Sequence, residues 1–228
     1  MIAIKSKFFR GLVMMALFSV VFVVIFLPVF GGRNGLQYLD NLYNSISKGS
    51  ADYIEAVRSE VNLLDGTTLT LDLMMKSELQ AQQTIKLFEN AGVGVTQVGA
   101  RLTVQGPLPR ILAHCLDDAR LMYANDADTL AATYGYGGKM ALYNWWSALK
   151  AMDYSLKDQK LFAAAKVAEL VKKKAVETAY NYYGIEGQKI GDRYMVVLFS
   201  LVFYVIYTLW YGIGIMNLFE GWGMRLEH

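Results

Sequence analysis

The chain has 228 residues, 54% of them hydrophobic and 18% charged, with a formal net charge of +2 and a mean hydropathy of +0.26. That is too apolar for an ordinary soluble domain, yet the charge content is that of a folded one, so a normal domain joined to a few concentrated apolar segments is predicted. The near-neutral balance leaves no basic patch to argue for nucleic acid, and one cysteine, Cys115, excludes an intrachain disulfide and a cysteine metal cluster.

Residues 11–30 (GLVMMALFSVVFVVIFLPVF) carry no charge and as a helix would span about 30 Å, the thickness of a bilayer's hydrocarbon core. A cleaved signal peptide has a shorter apolar stretch and a small-x-small cut site; this segment has neither, so a retained anchor is predicted. Residues 194–216 (YMVVLFSLVFYVIYTLWYGIGIM) form a second charge-free run. Lys5, Lys7 and Arg10 favour a cytoplasmic N-terminus, and two spans return the C-terminus, with Arg225, to the same side. Leu226-Glu227-His228 reads as the remnant of an affinity tag.

The predicted fold class is therefore an α+β membrane protein, with two transmembrane helices flanking a mostly helical ectodomain. Its expected parts are a cytoplasmic segment 1–10, a first span 11–30, an extracytoplasmic domain 31–192, a second span 193–217 and a cytoplasmic tail 218–228. The expected location is the inner membrane of a bacterial envelope, with the central domain periplasmic or extracellular. Residues 33–192 hold 17 basic and 18 acidic residues, so no nucleic-acid partner is expected there.

After Gly31 and Gly32, two helices are predicted over 36–47 and 51–64, the second with Ser50 as N-cap and Asp65-Gly66 as its stop. Residues 67–73 (TTLTLDL) alternate leucine with polar residues, the pattern of a half-buried strand. Ser77 and Gln80 make a capping-box pattern opening a helix over 77–90, with Gly92 at its C′ position. Short strands follow over 93–98 and 101–105, joined at Gly99-Ala100, and Pro109 opens a helix to about 124 with Ile111, Leu112, Cys115, Leu116, Ala119, Met122 and Tyr123 on its apolar face. This βαββα module over 67–124 resembles, in element order, the small α/β modules that build rings in bacterial secretion and sporulation assemblies; the resemblance implies side-by-side packing around a symmetry axis. The remainder, including the long helices of 139–183, reads as helical. A helix from about 155 to 183, opened by Ser155 and Asp158, would be roughly 40 Å long. Its stripe of Ala164, Ala168, Val171, Ala175 and Ala179 suits close approach by a partner helix and is a candidate oligomer contact.

His114, Asp117 and Asp118 share a helix face and could pair for metal or acid–base work, but the expectation is a solvated polar face opposite Cys115. Asn125, Asp126 and Asp128 read as a loop and helix cap rather than a calcium loop. Tyr134, Tyr136, Trp145 and Trp146 suit either core and protomer contact or a membrane interface. Lys172, Lys173 and Lys174 read as solvated, or as contacts for anionic lipid or an acidic neighbour. In the second span, Ser200, Tyr204, Tyr207, Thr208 and Tyr211 form one stripe of hydroxyls, expected to meet other helices or to line a wet path. Gly212 and Gly214 read as marking the end of that span. No Asp, Glu, Lys, Arg or His and no paired histidines lie in the runs 11–30 and 194–216, so no proton relay, haem or other cofactor is expected. No nucleophile–base pair emerges, and the reading is non-enzymatic: a homo-oligomeric, ring-like envelope scaffold. The alternatives are a homo-oligomeric pore lined by the second span and an accessory subunit bound to other envelope proteins.

Overall fold

The structure, a computed structural model, describes residues 2–64, 66 and 68–224. The expectations resting on Asp65, Thr67, Arg225 and residues 226–228 lie outside these. Elements follow the order α1 (Lys5–Phe26), α2 (Gly35–Ser50), α3 (Ile54–Asn62), β1 (Thr68–Met74), α4 (Glu78–Asn90), β2 (Gly94–Val98), β3 (Arg101–Pro107), α5 (Leu108–Tyr123), α6 (Ala127–Tyr134), α7 (Gly138–Asp158), α8 (Phe162–Val171), a π-helical turn (Lys172–Val176), α9 (Glu177–Tyr182) and α10 (Ile190–Gly221). They form two compact units: the chain ends, Met1–Gly49 with Gly187–His228, and the middle, Ser50–Glu186.

In the terminal unit, α1 and α10 are long and apolar enough to cross a membrane, with mean hydropathies of 2.5 and 2.0. The first ends four residues before its apolar run does. Pro28 disfavours helical geometry at the residue before it, and Leu27 is extended at φ −78°, ψ 147°. Gly31 and Gly32, both at positive φ, then turn the chain. Asn34 and Gln37 exchange side-chain and backbone hydrogen bonds in a reciprocal cap that starts α2. That helix runs on to Ser50, so Ser50 does not open α3; instead Asp52 Oδ1 accepts from the Ile54 N–H at 3.3 Å.

α1 and α10 pack antiparallel through glycines. A Cβ on Gly11 would lie 2.7 Å from the Leu218 nitrogen and 2.9 Å from the Gly214 carbonyl oxygen; one on Gly221 would lie 2.5 Å from the Phe8 nitrogen. Met15 packs on Gly214, and Lys7 pairs with Glu220. Small residues let helix backbones approach in apolar surroundings, where packing and not water expulsion drives association. Gly214 is thus a contact residue, and α10 continues helical beyond residue 217 to Gly221.

The middle unit is built on the antiparallel sheet β1-β3-β2, with Leu71 opposite Val104, Leu73 opposite Leu102 and Val95 opposite Val104. Leu71, Leu73, Leu102 and Val104 are buried on the face toward the helices, and alternate residues such as Asp72 and Gln105 are exposed. Gly99, at φ 59°, makes the β2–β3 turn, and Gly92, at φ 69°, ends α4, both as predicted. Ser77 Oγ accepts from the Gln80 N–H, while Gln80 Oε1 reaches back to the Lys76 N–H.

The single long helix expected from 155 does not exist. α7 runs through Ser155 to Asp158, and the chain turns at Lys160, which takes φ 61°. Leu161 N–H bonds to the Leu156 carbonyl and Lys160 N–H to that of Lys157, a Schellman stop. Ser155 serves the sheet instead: its Oγ accepts from the Asp72 N–H, and Gln159 Nε2 donates to the Thr70 carbonyl at 2.9 Å, so α7 seals the outer edge of β1. Asn125, at φ 66°, closes α5 in the same way, and its side chain holds the Gly184 N–H and the Ile185 carbonyl beyond α9.

Because Gly11 has no room for a side chain, Gly11→Val should destabilise the α1–α10 pair by about 2 kcal/mol through overpacking. Thermal unfolding in mild detergent should show the lowered midpoint, whereas Gly212→Val, at a glycine facing open space, should leave it nearly unchanged.

Candidate functional site

The hydroxyl stripe of α10 divides among different partners. Ser200 Oγ lies 2.7 Å from Tyr43 Oη on α2 and donates to the Val197 carbonyl when the tyrosine is the other donor. Tyr207 stacks on Phe18 of α1 at 4.3 Å and on Phe203, and Tyr211 meets Phe18 at 5.2 Å. Thr208 donates to the Tyr204 carbonyl one turn back. Tyr204 is 67% exposed, and its hydroxyl has no partner among the described residues. The Tyr207 hydroxyl is buried, also without a partner. One flank of the stripe is therefore filled by α1 and α2, and the Tyr204–Thr208 flank is open.

The alanine stripe is consumed within the chain. Ala168, Val171, Ala175 and Ala179 are fully buried in the core of the middle unit, and Ala164 is half-buried against it. They are not available as an oligomer contact, because α7, α5 and α3 already pack against this side of α8, the π turn and α9. The wide turn brings Ala175 and Val176 into the core together. Of the lysines on it, Lys172 and Lys173 pair with Glu169, and Lys174 sits 4.5 Å from the Tyr53 ring centre.

His114, Asp117 and Asp118 do not act as a set. Asp117 pairs with Arg58 at 2.7 Å, on the surface. Asp118 is 4% exposed rather than solvated, and its Oδ2 accepts from the Tyr134 hydroxyl at 2.5 Å and from Trp145 Nε1 at 2.7 Å. His114 Nε2 lies 3.0 Å from the same Tyr134 oxygen. Burial raises the Asp118 carboxyl above its ordinary range, against the two donors that favour its charge. The same burial, with Asp118 and Asp117 nearby, raises the Cys115 thiol, so Cys115 is inert core. Tyr134 and Trp145 thus lie in the core, not at a membrane interface. Asp126 caps α6 by accepting from the Thr129 N–H, as expected.

A cluster that the sequence reading missed surrounds Trp146. Its ring stacks on Tyr143 at 6.2 Å and 14°, Lys150 stands over the Trp146 ring, and Trp146 Nε1 donates to Glu177 Oε1 at 2.8 Å. The Lys76 ammonium donates to Tyr143 Oη at 2.6 Å, which draws that phenol below its ordinary range. The helical spacing of Tyr143, Trp146 and Lys150 was visible, but Lys76 joins from the β1–α4 connection across the fold. No protein-family model, curated protein or solved structure matches this chain. The ring-builder likeness is one of element order alone.

Ala168→Leu should cost about 1–3 kcal/mol by overpacking and lower the melting temperature without changing the oligomeric state seen by light scattering. For Asp118, the folded pKa is raised, so the native state holds a proton that the unfolded chain has lost; stability should fall as pH rises from the ordinary aspartate value through the raised one. Asp118→Asn should flatten that slope, and Asp118→Ala, leaving two donors unpaired, should cost about 2–4 kcal/mol, both read from the near-ultraviolet signal of Trp145 on unfolding.

Proposed function

We propose that this chain is a membrane-anchored assembly protein acting through self-association rather than catalysis. The observation carrying this reading is the Tyr204 hydroxyl, near the midpoint of α10, exposed and unpartnered. In a bilayer that position would lie in hydrocarbon, where a hydroxyl gains from a partner on another helix. α1 cannot supply it, being already seated on the Tyr207 side. A second copy presenting the same flank of Tyr204 and Thr208 would.

The two apolar helices, packed as an antiparallel pair, would then act as one anchor. At about 48 Å, α10 exceeds the hydrocarbon thickness, so part of it would project beyond the bilayer. Lys5, Lys7 and Arg10 favour a cytoplasmic N-terminus, and with two spans the middle unit would then lie on the periplasmic or outer side of an inner membrane. The Asp118 cluster supports the non-catalytic reading, because its buried polar atoms are turned on one another. A pore lined by the stripe is less well supported, since Ser200, Tyr207 and Tyr211 face α2 and α1.

Sedimentation equilibrium of the full chain in mild detergent should show a dimer or larger oligomer. Tyr204→Phe with Thr208→Val should weaken it about threefold to tenfold, the range for one interhelical hydrogen bond. A monomer at every concentration overturns the reading, and co-purification of a different subunit in its place would turn it toward an accessory role.

A further inference from the structure

A cavity of about 430 Å³ opens in the middle unit between the end of β1 and α7, a volume usual for small-ligand sites. Its walls include Met75, Trp146, Ala151 and Tyr154 as apolar surface, with Lys76, Ser147 and Lys150 as donors. Among the described residues neither Lys76 nor Lys150 makes an ion pair. The one carboxylate on the wall, Asp72, accepts from Thr103 Oγ1 across the strand pair at 2.8 Å. Lys172, the third ammonium near Trp146, is neutralised by Glu169.

The two uncompensated cations are positioned, not merely solvated. Lys76 Nζ is held by its hydrogen bond to Tyr143 Oη at 2.6 Å, and Lys150 Nζ lies 5.5 Å from the ring centre of Trp146, which stacks on Tyr143. Buried Gln80 fixes the frame: its Oε1 accepts the Lys76 N–H, and its Nε2 donates to Ser147 Oγ at 3.0 Å. With Gln80 as donor, the Ser147 hydroxyl is itself left as a donor, and Tyr143 is the acceptor the structure gives it.

We propose that this cavity binds an oxyanion, phosphate or carboxylate, carried on an apolar body. The anion would sit with Lys76, Lys150 and Ser147, and the body against Trp146, Met75 and Tyr154. Charge-assisted bonds from two ammonium groups supply the affinity, and the aromatic wall selects against a bare inorganic ion. A soluble metabolite and a lipid headgroup share this chemistry.

The test uses the full chain in phosphatidylcholine nanodiscs, titrated calorimetrically with naphthyl phosphate, with naphthol and inorganic phosphate as comparisons. Naphthyl phosphate should bind saturably and more tightly than either. Lys76→Gln and Lys150→Gln should each weaken it about tenfold, the loss expected for one charged hydrogen bond. Lys139→Gln, a lysine over Tyr180 and Tyr183 that does not line the cavity, should bind as the parent does, and near-ultraviolet spectra should confirm that all three variants are folded. In discs that also carry phosphatidic acid, loss of probe binding assigns the site to a lipid headgroup, and unchanged binding assigns it to a soluble oxyanion. The proposal is overturned by absence of saturable binding, by naphthol binding equally well, or by binding that both lysine variants leave intact.

Discussion

A polar group taken out of water must find another polar group, and most of what is distinctive in this chain follows from that constraint. An unpaired amide or hydroxyl in apolar surroundings costs about 1–3 kcal/mol by mutational measures. The outer edge of β1 would expose such groups, and Ser155 and Gln159 from α7 take them. The deep carboxylate of Asp118 would be worse, and Tyr134 and Trp145 both turn to it. Among the described residues it is not met at Asp153 Oδ1 and at the Tyr207 hydroxyl, both buried without a partner.

The same constraint explains why neighbouring tryptophans differ so much. Successive helical residues are separated by about 100°, so Trp145 enters the core while Trp146 faces outward. Trp145 then packs edge-on to Phe88 at 5.7 Å and gives its indole proton to Asp118. Trp146 gives its proton to Glu177, at the surface, and offers a ring face to lysines. A single helix, α7, thereby supplies the core's central ring, the seal on β1 and the wall of the cavity, and its sequence is constrained on every side.

Much of the local structure was legible because each signal was chemical and short in range. Ser77, Gly92, Gly99 and Pro109 do at their positions what their side chains or their lack of one dictate. The missed features lack such markers. Lys160 adopts a left-handed conformation with a Cβ, at a site where glycine would have announced the stop, and the burial of Leu156 beside it holds the turn. The alanine stripe was visible as a small-residue face, but the pattern is the same whether the partner lies in the chain or in another copy. Asp118 looked like one member of a polar face, since nothing near it in sequence reveals that Tyr134 and Trp145 lie across from it. Lys76 and Lys150 are separated by three helices and two strands, so their convergence is a property of the tertiary fold.

The glycines of the terminal unit show how far helix pattern alone misleads in apolar segments. Gly212 and Gly214 look equivalent near the end of a span. A Cβ at Gly212 would meet nothing within 4 Å, whereas one at Gly214 would meet Met15 Sδ at 2.9 Å. The difference is their direction around α10. Gly214 shares its side with Asn217 and Gly221, three and seven residues on, and all three are buried. That side is used by α1, so any further helix must approach from another direction. The flank carrying Tyr204 and Thr208 is one such direction and carries the hydroxyl group that α1 leaves unpaired. A self-association built there would add to the α1–α10 contact without competing with it, so the helix pair would stay intact in both the single chain and the assembly.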